Sequence, residues 1–289
     1  FEFIFENKDS WSIEKQCSVL QVTRAAYYKW TSRDTSVTIQ TQIKIAAEIA
    51  RIHSTPRLDN YGSPRMRSEL VANGFNVSKN TVAKLMRVAG IRAKTQPKFR
   101  VSTTDSNHEQ PIAPNRLAQC FAVSNINCVW LTDFTYIRTL DGLTYLCTIE
   151  DLCSRKIIGW ATSKSIDTVL ALSALNQAIS LRSPEKGLII HSDRGSQFAS
   201  LAYRNRILQC SYLQSMSRKG NCYDNAPMES FFKSFKGEEV NRSQYQSHDH
   251  ATRGAIDYIE RFYNPIRLHS SLAYQSPIRF EEGLARTAN

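Results

Sequence analysis

Three carboxylates stand where their neighbours give little ordinary reason for an acid. In the run Val129 to Ile137 side chains alternate across a strand, so Asp133 shares a face with Val129, Leu131 and Ile137. Asp is a poor strand former, and burying its carboxylate is costly without a cation, a metal ion or a cluster of donors. A structural salt bridge would meet that need as well as a metal would. Asp193 follows the run Leu188 to Ser192 and precedes Gly195. That is the carboxyl end of a strand, where open α/β sheets place ligand groups, although a turn or capping Asp fits the same position. Glu229 falls in the first turn of a helix that Asn225 can cap and that tolerates Pro227. At about 100° per residue, Lys233 and Lys236 share its face while Phe231 and Phe235 point into a core. A solvated Glu with lysine partners is the plain alternative, and it leaves the turn-rich segment before the helix unexplained. Carboxylates are hard oxygen donors, the kind that suit Mg²⁺ or Mn²⁺.

Other polar residues carry weaker signals. Glu150 and Asp151 follow a strand and fit a turn at least as well as a site, and Asp224 reads as part of the loop entering the Glu229 helix. His191 and His269 lack a partner His or Cys at metal-ligand spacing. His53 and His108 are not accompanied by a CxxC pair, which excludes a zinc module built on them. The seven cysteines form no CxxC either, and their odd number fits a reducing compartment.

The elements that must position the acids follow from periodicity. Beyond a stretch rich in Pro, Ser, Thr and Asn (94–118), short β-rich runs span Val129 to Ile137, Leu143 to Glu150 and Lys156 to Ala161. A helix over Thr168 to Leu181 and a strand over Leu188 to His191 follow, then a helix near Leu201 to Gln209, a run at Tyr212 to Met216 and a helix from Pro227. This order predicts an α/β domain.

Upstream the pattern is all helical. Two short helices lie within Ser10 to Trp30, with Thr23 as a cap, and a long one covers Ile39 to His53 with Ile43, Ala46, Ala47 and Ala50 on one face. A pair follows: Ser63 to Asn73 ended by Gly74, and a helix capped by Ser78 whose Val82, Leu85, Met86 and Ala89 face the core. Its other side presents Lys79, Asn80, Thr81, Lys84 and Arg87, cations for phosphates and an amide and hydroxyl for base edges. Each residue alone fits a solvated face. Residues 41–100, however, hold twelve Lys and Arg against three acids, out of a net charge of +11 over 289 residues, which favours DNA contact with helix-turn-helix geometry. No signal peptide or membrane-length apolar run is evident. The chain starts on Phe1 rather than Met, the expectation for a processed, truncated or fused product.

An Asp in the first strand, an Asp after the fourth and a Glu on a later helix with thirty-five residues between it and that second Asp resemble the Asp-Asp-Glu arrangement of retroviral-integrase-like transposases. The chain is most similar to the third numbered family of bacterial insertion-sequence transposases, in its second-reading-frame product. The resemblance covers most of the chain, at Cys17 to Trp30, Tyr61 to Ile91, the three acidic motifs and the tail Phe262-Tyr263-Asn264-Pro265-Ile266-Arg267-Leu268-His269-Ser270-Ser271-Leu272 with Ser276 to Phe280. Phe198 stands where Tyr is usual and Ala273 where Gly is common.

The resemblance implies an RNase-H-like α/β catalytic domain, a mixed sheet flanked by helices, preceded by an all-α helix-turn-helix region. The implied boundaries are 1–35 and 36–93 for the helical segments, 94–118 for the linker, 119–240 for the catalytic core and 241–289 for its helical tail. It implies that Asp133, Asp193 and Glu229 hold two Mg²⁺ ions, for which Mn²⁺ substitutes, and that Lys236, aided by Lys233, lies near terminal DNA. The implied reaction cleaves the element's ends and transfers strands. The partners are terminal inverted repeats and target DNA, with a homo-oligomer in a synaptic complex, no membrane, and a cytoplasmic, nucleoid-associated location. A nuclease that only hydrolyses, or an inert DNA-binding regulator, would use the same features. Arg267 and His269 fit the tail motif without an evident chemistry.

Overall fold

In the computed structural model, which describes residues 1–32, 37–94 and 110–287, the chain divides into two units, Phe1–Ala93 and Lys94–Asn289. The stretch with Pro97 and His108, and the boundary expected at 35/36, lie outside the described residues.

The first unit is built of α1 (Glu2–Glu6), α2 (Ile13–Val19), α3 (Arg24–Thr31), α4 (Val37–Ser54), α5 (Ser63–Ala72) and α6 (Lys79–Val88). Short polar side chains start three of them. Ser12 Oγ accepts from Lys15 N, Thr23 Oγ1 from Ala26 N and Ser78 Oγ from Thr81 N, each satisfying an otherwise unpaired first-turn donor. Ile4, Cys17 and Tyr27 form one small core. Ile45, Ile49 and Ile52 of α4 meet Met66, Leu70, Val77, Val82 and Met86 in another.

The core face of α4 is therefore not the expected one, since Ile43, Ala47 and Ala50 are exposed. Both sides of this helix are apolar, and the side carrying three larger isoleucines removes more surface from water. On α6, Val82 and Met86 are buried as expected, but Ala89 is exposed at the end of the helix.

The second unit carries β1 (Val129–Thr139), β2 (Gly142–Asp151), β3 (Ile157–Ser163), β4 (Ile189–Ser192) and β5 (Leu213–Met216) in one sheet of order β3-β2-β1-β4-β5. The first three form an antiparallel meander, while β4 and β5 run parallel to β1. The helices are α7 (Thr168–Arg182), α8 (Ser196–Ala199), α9 (Leu201–Gln209), α10 (Ala226–Glu238), α11 (His248–Ile256), which continues as a π-helical stretch over Asp257–Tyr263, and α12 (Pro277–Thr287). An all-helical unit followed along the chain by a mixed α/β sheet is the architecture the sequence predicts.

One sheet face packs Trp130, Phe134, Cys147, Ile149 and Ile158 against α7 and α9. Close approach of α7 to β3 depends on Gly159, where a Cβ would collide with the Ala174 carbonyl and stand 2.8 Å from Ala178 Cβ. β1 is buried along both faces, so the strand that carries Asp133 is held from every side. Residues before β1 join this unit too: Ala113 packs on its core, and Arg116 N and Leu117 N donate to Ser215 Oγ. No described helix is long and apolar enough to cross a membrane.

Candidate active site

The parallel pairing of β1 with β4 sets Leu131 against His191. Asp133 lies two residues beyond Leu131 and Asp193 two beyond His191, so both acids emerge at the same level of the sheet. Each is oriented by a backbone donor: Phe134 N–H donates to Asp133 Oδ1 at 2.7 Å, and Gly195 N–H to Asp193 Oδ1 at 2.9 Å. A Cβ at Gly195 would stand 3.1 Å from that same Oδ1 and 3.0 Å from Gln197 Oε1, which explains a glycine in the turn. Burial, then the negative charge of Asp193, pushes the Asp133 carboxyl well above the usual carboxylate range, and Glu229 adds to the rise more weakly. Asp133 thus senses both other acids, Glu229, which is exposed, the more weakly.

Glu229 sits exposed in the first turn of α10, whose Met228, Phe231 and Phe235 are buried. Pro227 takes a position where its missing N–H costs nothing. Asn225 occupies the cap position but does not cap. Its Nδ2 donates instead to Thr132 O at 3.4 Å, because packing of α10 on β1 offers this buried amide a carbonyl beside Asp133. Lys233 is exposed on the face of Glu229. Lys236 is half-buried; its ammonium donates to Tyr136 O and lies 4.3 Å from the Tyr136 ring centroid. Burial, then Arg138, pulls its pKa down to about 8.

The other acids are structural. Asp224 is fully buried and accepts from Asn115, Gln119 and Arg218, anchoring the loop before α10 and holding its own carboxyl below the usual range. Asp151 accepts from Cys153 N and Ser154 N within a turn and from Asn127 N across it. Glu150, buried beside Arg155 at 3.4 Å, is pushed up to about 7 by burial. His191 spends both ring nitrogens on Ser215 and Ser217, at 2.8 and 3.1 Å, and burial pulls it down to about 4.

Sequence reasoning left the tail motif without a role, and the fold supplies one. Arg267 pairs with Glu238 of α10 at 2.7 Å, and Asn264 exchanges two hydrogen bonds of 2.9 Å with the backbone of Ile157 on β3. The only sequence signal was Arg and Asn between aromatic residues; their partners lie 29 and 107 positions away.

The donor set suits a divalent cation. The charges acting on Asp133 are those of two further carboxylates, an imbalance a hard cation would offset. Among the described residues no three His, Cys, Asp or Glu side chains, these three acids included, stand close enough together to hold a metal ion as placed. In the helical unit, Lys79, Asn80, Lys84 and Arg87 are exposed along α6, whereas Thr81 is half-buried with its hydroxyl 2.9 Å from Ser78 Oγ.

Family comparisons bear on both units. An integrase core domain model matches residues 124–222, a second integrase core domain model 212–277, and an HTH-like domain model 41–99. An insertion element IS600 uncharacterized 31 kDa protein of Shigella sonnei is 41% identical over 266 residues, covering 92% of this chain and 97% of that one. Transposase InsF for insertion sequence IS3A of Escherichia coli (strain K12) is 36% identical over 282 residues, 97% of this chain and 98% of that one. Among solved structures, the HTLV-2 integrase catalytic core domain in complex with magnesium aligns with a TM-score of 0.41 and 18% identity, over 53% of this chain and 95% of that one.

Proposed function

Because the chain belongs to the IS3 family of insertion-sequence transposases, we propose that its chemistry is two successive phosphodiester displacements at Asp133, Asp193 and Glu229. The protein is a DNA transposase, and its integrase core makes it a polynucleotidyl transferase. What supports the site assignment is the register of β1 and β4, which brings Asp133 and Asp193 to the same level of the sheet, within reach of the charge of Glu229 on the first turn of α10.

Asp133, Asp193 and Glu229 would hold two divalent ions, Mg²⁺ by preference with Mn²⁺ able to substitute. When bound, such ions supply positive charge at the attacking and leaving oxygens of an in-line displacement. The protein's own part is orientation. Phe134 N–H and Gly195 N–H fix one oxygen of each aspartate, and the buried aromatic side of α10 aims Glu229 outward. In the first displacement water attacks a phosphodiester at the element's end and the freed 3′ oxygen leaves as a hydroxyl. In the second that 3′-OH attacks a target phosphodiester, and the target's own 3′ oxygen departs. No protein nucleophile is consumed.

Exposed Lys233 would screen phosphate charge beside Glu229, and Lys236 would reach a phosphate by leaving the Tyr136 carbonyl. Lys79, Asn80, Thr81, Lys84 and Arg87 of α6 would read the terminal repeats. Both ends of the element must be held at once, which makes a homo-oligomer part of the proposal. Purified protein incubated with Mg²⁺ and DNA carrying the element's terminal inverted repeats should join a 3′ end to a second duplex. Products of hydrolysis alone would identify a nuclease, and no metal-dependent product would identify a DNA-binding regulator.

A further inference from the structure

The back of α10 is gripped by the tail. Arg267 Nε and Nη2 donate to the two Glu238 oxygens at 2.7 and 2.8 Å, Nη2 also donates to Ser234 Oγ at 2.8 Å, and Tyr258 OH donates to Glu238 Oε2 at 2.8 Å. Arg267, Glu238 and Tyr258 are all buried. At about 100° per residue, Glu238 lies about half a turn round the helix from Glu229, and Ser234 about 140° from it. The clamp thus holds the face of α10 turned away from the candidate metal site.

The N-terminal end of the helix is held through the loop before it, where buried Asp224 accepts from Asn115, Gln119 and Arg218. The cap residue of the helix makes no capping bond and reaches Thr132 O only at 3.4 Å. Burial of Met228, Phe231, Phe232 and Phe235 keeps α10 on the sheet, but apolar burial is non-directional, so the roll about the helix axis is set by polar contacts, Lys236 on Tyr136 O on one side and the clamp on the other. A guanidinium fork engaged at both carboxylate oxygens is directional. The clamp is also referenced to the sheet that carries Asp133, since Asn264, three residues before Arg267, is bonded to both backbone groups of Ile157 on β3.

We propose that Arg267 is a positioning residue that sets the roll of α10, and through it the place of the Glu229 carboxylate relative to Asp133 and Asp193. This rests on the reading of Glu229 as a metal ligand. A roll of about 20° moves a group about 6 Å from the helix axis by about 2 Å, several times the tolerance of a preorganised site, about 0.5 Å.

The test compares the full-length wild type with R267K, which keeps the charge but loses the fork, and S234A, which deletes one hydrogen bond. Free Mn²⁺ is followed by electron paramagnetic resonance without DNA, beside strand joining titrated with Mg²⁺. Mn²⁺ affinity should fall roughly 10-fold in R267K and less in S234A, in the range seen when groups orienting a ligand are lost. The half-saturating Mg²⁺ for joining should rise in parallel, with affinity for the DNA ends unchanged. A purely structural role would lower the melting temperature and the active fraction yet leave metal affinity unmoved, and that result overturns the inference. If R267K does not fold, S234A decides alone. No Mn²⁺ binding by the wild type overturns the metal-site reading together with this inference, whereas normal binding by all three proteins overturns only the inference.

Discussion

Asp133 and Asp193 are neighbours because β1 and β4 are parallel and in register at Leu131 and His191, which carries each strand to its acid in the same number of residues. A separation of sixty positions in the chain is thereby reduced to neighbouring positions at one level of the sheet. The proximity has an electrostatic signature: after burial, Asp193 is the largest cause of the raised Asp133 carboxyl.

That coupling predicts opposite effects of Asp133→Asn on activity and stability. Strand joining should fall by about 1,000-fold or more, a loss of several kcal/mol of charge stabilisation. Without the metal, melting temperature should rise by about 2 to 4 °C for about 1 kcal/mol of relieved repulsion. Calorimetry of the metal-free protein decides the second half. A lower melting temperature there means the carboxylate is structurally needed.

His191 and Glu150 should titrate stability in opposite directions. His191 is depressed from 6.5 to about 4, so its contribution is present above pH 6.5 and lost as pH falls through 4. Glu150 is raised from 4.5 to about 7, so its contribution is present below pH 4.5 and lost as pH rises through 7. Each amounts to about 3 kcal/mol, at about 1.4 kcal/mol per tenfold change in proton affinity. Urea midpoints of H191N and E150Q, each minus wild type, should drift in opposite senses between pH 4 and 7. Parallel drifts would refute the assignment.

Gly159→Ala should destabilise the catalytic unit by roughly 1 to 3 kcal/mol, since the added methyl would meet backbone and side-chain atoms of α7 with nowhere to move. Chemical denaturation reads this directly. An unchanged midpoint would mean that α7 slides on β3 at little cost.

On α6, Lys84→Ala and Arg87→Ala should each weaken binding to terminal-repeat DNA uniformly across sequences and flatten the salt dependence by about one counterion. Asn80→Ala should instead relax preference for the correct repeat over a scrambled one. Fluorescence anisotropy over a salt series separates the two behaviours. A salt slope that stays at its wild-type value removes this face from the interface.

Much of the fold was legible locally. Thr23 and Ser78 announce their helices because a capping hydroxyl needs only a backbone N–H three residues away. The face of α4 was not legible, because Ile43 and Ile45 are equally apolar and only the side carrying Ile45, Ile49 and Ile52 finds Met66 and Leu70 opposite it. Asn225 shows the same limit: its type and position spell a cap, yet the carbonyl of Thr132, 93 residues away, takes its amide.

The sequence by itself determined the ligand chemistry, since Asp133, Asp193 and Glu229 carry hard oxygens whatever their surroundings, and it determined the strands and helices that bear them, since periodicity is a local property. Only the tertiary structure decided which polar contacts tie α10 and the tail to the sheet. Arg267 on Glu238, Asn264 on Ile157 and Lys236 on Tyr136 O are pairings between distant segments, and hydrogen-bond directionality has no expression until packing brings donor and acceptor within reach.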